Sequence, residues 1–478
     1  MARQTWKIPA DFILGAAASA WQTEGWPGKR PTQDSYLDMW YKNDPHVWHN
    51  GYGPAVATDF YNRYKEDIHH MKEIGLTHYR TSINWSRFLI DYETTEVDEV
   101  YAGYIDDVIN ELIASGVEPM ICLEHYEIPA VLMEKYGGWG SKHVIDLFAA
   151  YAKKVFERYG DRVKYWFTFN EPIVPQTRIF LDAIRYPYEQ NTKKWMQWNF
   201  NKALATAKCV RLFHARKSDC LEGAKIGVIL NPEVTYARSS APHDQKAARI
   251  YDLFFNRVFL DPSIKGAYPD ELIELLVKHD ILFDHDEAEL DIIKQHTVDF
   301  AGINLYYPRR VKAPSRQWND STPFHPAYYY EYFELPGRKM NPFRGWEIYP
   351  QIVYDMAMRL KHEYGNIEWL IAENGMGVEH EERFKNEEGV IQDDYRIDFI
   401  SAHLREAMKG IADGANCKGY MLWAFTDNVS PMNAFKNRYG LVEIRLEDNR
   451  SRALKKSACF YRDIIKNRQF ETEEFRYK

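Results

Sequence analysis

Short apolar runs, separated by longer stretches with a three-to-four-residue beat, recur from one end of this chain to the other. The runs fall at 12–16, 77–83, 118–123, 163–169, 225–230, 298–305, 368–372 and 419–425. Several lack strict alternation of apolar and polar positions, which is how a strand reads when both its faces are buried in a parallel sheet. Between them the spacing predicts amphipathic helices. In "VDEVYAGYIDDVINELIASG", Val97, Tyr101, Tyr104, Ile105, Val108, Ile109 and Leu112 share one helical face, and Gly116 stands where the helix should stop. Eight strands, each followed by helical sequence, predict a (β/α)8 TIM barrel in which residues 1–478 form one domain. An open doubly wound sheet is the competing architecture. It would carry a glycine-rich phosphate loop after its first strand, and "GAAASAWQTEG" is not one.

Composition narrows the partners. The net charge is −8 and basic residues come as isolated pairs such as Arg309-Arg310 and Lys455-Lys456, so no nucleic-acid partner is expected. No uncharged run approaches the roughly 18 residues of a membrane span, so no membrane partner is expected either. The five cysteines lack metal-type spacing and read as small buried hydrophobes in a reducing compartment. Aromatics make up 15%, which fits either a large core or a cleft that grips flat, hydroxylated ligands. Self-association into a homo-oligomer is compatible with the sequence and not specified by it.

The opening "MARQTWKIPADFILGAAASAWQTEGWPGK" has the outline of a secretory leader: early basic residues, an uncharged run, then small residues. Pro9 and Asp11 interrupt that outline, and the barrel needs 12–16 as its first strand. The expectation is a cytoplasmic protein that keeps this segment.

A barrel makes a demand: polar residues that do chemistry should gather at the carboxyl ends of the strands. Strand four runs into "FTFNEP", bringing Asn170 and Glu171 there, and strand seven into "IAENGMG", bringing Glu373 and Asn374. Strands four and seven face each other across the mouth of such a barrel. Two carboxyls so placed can flank one glycosidic bond, one as an acid for the leaving oxygen and one as a carboxylate at the anomeric carbon.

With these residues in view, the chain resembles the family 1 glycoside hydrolases, the retaining β-glycosidases. "TFNEP" and "AENG" look like that family's acid/base and nucleophile motifs. "DFILGAAASAWQTEG", "YRTSINWSR", "HYEIP", "GINLYY", "GWEIYP" and "GYMLWAF" follow in the family's order over nearly the whole chain. The resemblance implies Glu171 as general acid/base and Glu373 as nucleophile. It implies Gln22, His125, Asn170 and Trp423 as holders of the innermost sugar, Arg80 and Tyr306 as holders of Glu373, and Trp346 as the leaving-group platform. A guanidinium beside Glu373 favours an ionised nucleophile, while a less well paired Glu171 keeps a raised pKa. "HYEIP" departs from the family's usual "HWDLP" but leaves the histidine in place. Carboxylate chemistry of this kind calls for no metal or organic cofactor.

Selectivity turns on the loop after strand eight, "WAFTDNVSPMNAFKNRYG". Where glucosidases of the family carry Glu-Trp, this chain has Ser430 and Pro431, so a negative charge is missing where the sugar's 6-position would lie. The resemblance is closest to the phospho-glycosidase branch, whose Ser, Lys and Tyr pattern is met by Ser430 and Tyr439. Asn437 occupies the lysine's place, with Lys436 and Arg438 beside it as candidate cations if the loop shifts. The expected substrate is a 6-phospho-β-glucoside. A plain β-glucosidase, a 6-phospho-β-galactosidase and a non-catalytic sugar-binding barrel are the alternatives. The aromatics of "PAYYYEYFELPG" belong either to the leaving-group side or to the core.

Overall fold

Eight parallel strands close on one another in chain order: β1 (Ile13–Ala17), β2 (His78–Ser82), β3 (Glu118–Glu124), β4 (Tyr165–Asn170), β5 (Lys225–Leu230), β6 (Phe300–Asn304), β7 (Trp369–Asn374) and β8 (Cys417–Trp423). The structure, a computed structural model, describes residues 4–316 and 322–473. Each expected strand is present with its ends shifted by at most two residues. β4 and β7 run on through Asn170 and Asn374, which pair with Ile229 and Leu422, because a polar side chain does not interrupt the backbone ladder.

Alternation along each strand builds two cores. Phe167, Ile229, Met120 and Met421 point into the barrel, while their neighbours Trp166 and Val228 face the surrounding helices. The expected helix is Glu99–Ala114, and its buried residues are those read from the sequence between Tyr101 and Leu112, together with Ala102. Val97 lies outside it, because the Asp98 carboxylate accepts from the N–H groups of Val100 and Tyr101 and so caps the helix there. The leader-like stretch sits inside the fold: all five residues of β1 are buried, between β2 and β8. Among the described residues, no helix is long and apolar enough to cross a membrane. Cys122, Cys209 and Cys417 are buried as expected, whereas Cys220 is half-buried and Cys459 exposed, and all five are free.

Two rim loops are joined by a buried ionic cluster. Lys455, fully buried, donates to Asp427 (2.8 Å) in the loop after β8 and to Glu381 in the loop after β7. Arg396 adds bonds to Glu381 (2.6 Å), Asp393 (2.9 Å) and the Arg438 carbonyl (2.9 Å). Asp427 in turn accepts from the Gly440 N–H at 2.9 Å. The segment that carries Ser430 and Tyr439 is thereby tied at both ends. Lys455→Met leaves Asp427 with only Arg438, 3.8 Å away, as a cation. Breaking a buried pair from one side costs ~3–5 kcal/mol. A drop of that size in denaturant unfolding at unchanged m-value is expected; an unchanged midpoint would show that the cluster carries no net stability.

Candidate active site

The carboxyl ends of the strands surround a cavity of about 310 Å³. Gln22, His125, Asn170, Glu171, Tyr306, Trp346, Glu373, Trp423, Ser430 and Tyr439, all singled out from the sequence, line it. Arg80 lies beneath, buried inside β2 rather than beyond its end. Glu373 is likewise the penultimate residue of β7, while Glu171 stands one residue past β4 with φ of 47°. That left-handed backbone is uncommon for a residue with a side chain. It lets Glu171 turn out of the strand while its N–H still donates to the Ile229 carbonyl at 2.8 Å.

The two carboxyls meet unlike surroundings. Glu373 Oε2 accepts from the Tyr306 hydroxyl at 2.6 Å, and Oε1 accepts from Arg80. Arg80 also reaches His125 Nδ1 at 3.1 Å and the Ala372 carbonyl at 3.4 Å, so its fork is held in place. Among the described residues, Glu171 has no cation in contact. Its carboxylate accepts from Asn304 Nδ2 at 2.9 Å and from the Tyr126 hydroxyl. Burial, and then the charge of Glu373, push its pKa up to about 7. Asn304 bridges the pair: its backbone is in register with Glu373 and its side chain holds Glu171. One carboxyl is thus organised as an anion's seat and the other as an acid near neutrality, in one pit.

The remaining residues form a floor and a rim. The His125 ring lies 5.9 Å from Trp423 at 21°, and burial followed by Arg80 holds its pKa well below the usual histidine range, so the imidazole is neutral. Gln22 takes a bond from Ser19 (2.9 Å) and donates to the Val429 carbonyl (2.7 Å), tying β1 to the loop after β8. Close packing on the β7 side is possible only with glycines. A Cβ on Gly375 would stand 1.9 Å from the Trp423 carbonyl oxygen, and one on Gly377 would stand 2.4 Å from the Tyr439 ring.

Lys436 is not in the cavity. It is 42% exposed and pairs with Glu379 at 3.3 Å, which draws it to the outer side of the loop. Arg438 is spent on the Ile444 carbonyl (3.3 Å) and Asp427, and Asn437 is buried against Asn433. With the loop placed as it is here, neither Lys436 nor Arg438 lines the cavity. Tyr126, Asn304 and Arg344 are among the cavity residues that escaped the sequence reading. Tyr126 and Asn304 stand in the quoted "HYEIP" and "GINLYY", where the departure from tryptophan at Tyr126 was the available signal. Arg344, two residues before Trp346, gave none. In "PAYYYEYFELPG", Tyr330 and Tyr332 both line the cavity, and Tyr330 is also part of a buried cluster with Tyr251 and Val311.

The model of glycosyl hydrolase family 1 matches residues 4–470. The chain is 45% identical to the 6-phospho-beta-glucosidase GmuD of Bacillus subtilis (strain 168), over 98% of this chain and 99% of that one. It is 33% identical to beta-glucosidase A of Acetivibrio thermocellus, over 97% and 99%. Among solved structures it is similar to the family 1 b-glucosidase from Thermotoga maritima, with a TM-score of 0.86 and 29% identity over 98% and 100% of the two chains.

The environment of Glu171 can be tested without a ligand. Carboxyl NMR titration should find its midpoint at about 7. Glu373→Gln removes the like charge and should move that midpoint down. Tyr126→Phe removes a donor to the anion and should move it up. Shifts of the same sign in both variants would overturn this account of the pair.

Proposed function

The chain belongs to glycosyl hydrolase family 1, and we propose that it hydrolyses 6-phospho-β-glucosides with retention of configuration, releasing glucose 6-phosphate and an aglycone. The observation that carries this reading is the unequal pair in one cavity: Glu373 seated by Arg80 and Tyr306, Glu171 kept protonated by burial and by its neighbour's charge. Glu171 gives its proton to the glycosidic oxygen as Glu373 attacks the anomeric carbon, forming a glycosyl-enzyme intermediate. Glu171, now a carboxylate, takes a proton from water, and that water attacks the anomeric carbon from the face the leaving group vacated, opposite Glu373, freeing the Glu373 carboxylate and keeping the configuration. Gln22, His125, Asn170 and Trp423 hold the sugar, and Trp346 supports the leaving group.

The phosphorylated substrate is favoured by the absence of a carboxylate at Ser430 and Pro431, by Ser430 and Tyr439 at the cavity wall, and by the likeness to a relative named as a 6-phospho-beta-glucosidase. Such substrates are kept inside a membrane by their charge, so the fitting compartment is the cytoplasm. The runner-up is the same chemistry on plain β-glucosides. It draws on Lys436 lying off the cavity and on the likeness to beta-glucosidases.

Glu373→Gln should lower turnover by roughly 10⁴-fold or more. Azide should restore activity to Glu171→Ala on a substrate with a good leaving group, giving a β-glycosyl azide. Hydrolysis of 4-nitrophenyl β-glucoside with and without a 6-phosphate decides between the two substrate classes. Equal or better turnover of the plain sugar would remove the phosphorylated reading.

A further inference from the structure

A sugar phosphate needs a cation, and two of the four arginines that line the cavity are already engaged: Arg309 by Glu233 at 2.6 Å, and Arg178 by Asp182 at 2.6 Å. Arg185 has no carboxylate partner among the described residues and its Nη1 is buried without a hydrogen-bond acceptor, but it lies over Trp40 and Tyr126, on the Glu171 side. Arg344 also has no carboxylate partner among the described residues, and its Nε is buried without a hydrogen-bond acceptor.

Arg344 sits near the tip of a short hairpin, Met340–Asn341 paired with Trp346–Glu347. The base is clamped: Arg310 makes two bonds of 2.8 Å to Glu347, and Asn341 Nδ2 donates to the Gly377 carbonyl at 2.9 Å. The guanidinium lies 4.5 Å from the centre of the Trp346 ring, and its charge bears on the Tyr439 hydroxyl. Tyr439 is itself held against Gly377, and Ser430 lines the cavity from the same loop.

We propose that Arg344 is the cation that grips the substrate's 6-phosphate, replacing from another loop the lysine missing at position 437, with the Ser430 and Tyr439 hydroxyls as companion donors. This rests on the phosphorylated-substrate reading above and names the group that enforces it. A guanidinium offers a planar fork for two phosphate oxygens, and stacking on Trp346 orients that fork before the substrate arrives.

The test is the ratio of kcat/KM for 4-nitrophenyl β-glucoside 6-phosphate to that for the plain glucoside, in wild type, Arg344→Met and Arg344→Lys. Methionine keeps an apolar stem on Trp346 and removes the charge. The ratio should fall by about 100-fold in Arg344→Met, carried by a higher KM for the phosphorylated substrate. Arg344→Lys should recover part of it, because a point charge without the fork remains. A large wild-type ratio that persists in Arg344→Met overturns Arg344 as the anchor and leaves the phosphorylated reading standing. A wild-type ratio near one removes that reading and this proposal together. Should Arg344→Met fold poorly, inhibition by glucose 6-phosphate decides: a Ki raised roughly tenfold in Arg344→Lys supports the anchor, and an unchanged Ki refutes it.

Discussion

Two carboxylates cannot both stay ionised in one small, poorly hydrated pit without a cation between them. Much of the site follows from how this chain resolves that conflict. Arg80, buried within a barrel strand, commits its charge to Glu373, and Tyr306 completes the seat. Glu171 gives way and holds its proton to about 7. Its partners, Asn304 and Tyr126, fix its direction without supplying charge. The barrel makes this arrangement affordable in structural terms, because the groups come from strands that are locked in register.

The fold was readable because parallel strands buried on both faces leave uninterrupted apolar runs, and because helix faces keep their period. What misled at the ends was polarity. Asn170, Glu373 and Asn374 look like loop residues yet continue the ladder, since backbone pairing ignores what the side chain prefers. Val97 was placed in a helix by its spacing, whereas the capping carboxylate of Asp98 sets the boundary.

The site was half readable. Motif-bearing residues lie together as expected, because "TFNEP" and "AENG" mark strand ends whatever surrounds them. The cation at the sugar's far edge was sought near Asn437, where neighbours in sequence seemed the natural substitutes. Lys436 instead answers to Glu379, and Arg344 reaches the wall from a hairpin in another part of the chain. No linear pattern reports which of several arginines lacks a carboxylate; that depends on where the acids fall in space.

The cluster of Lys455, Asp427, Glu381 and Arg396 has a further consequence. Ion pairs at a protein's surface weaken as salt rises, but these side chains are almost wholly out of solvent, where mobile ions do not enter. The frame behind Ser430 and Tyr439 is therefore insulated from ionic strength. Any salt dependence in ligand capture would belong to the open mouth, where the charges of ligand and wall first meet, and not to a loosening of the wall itself.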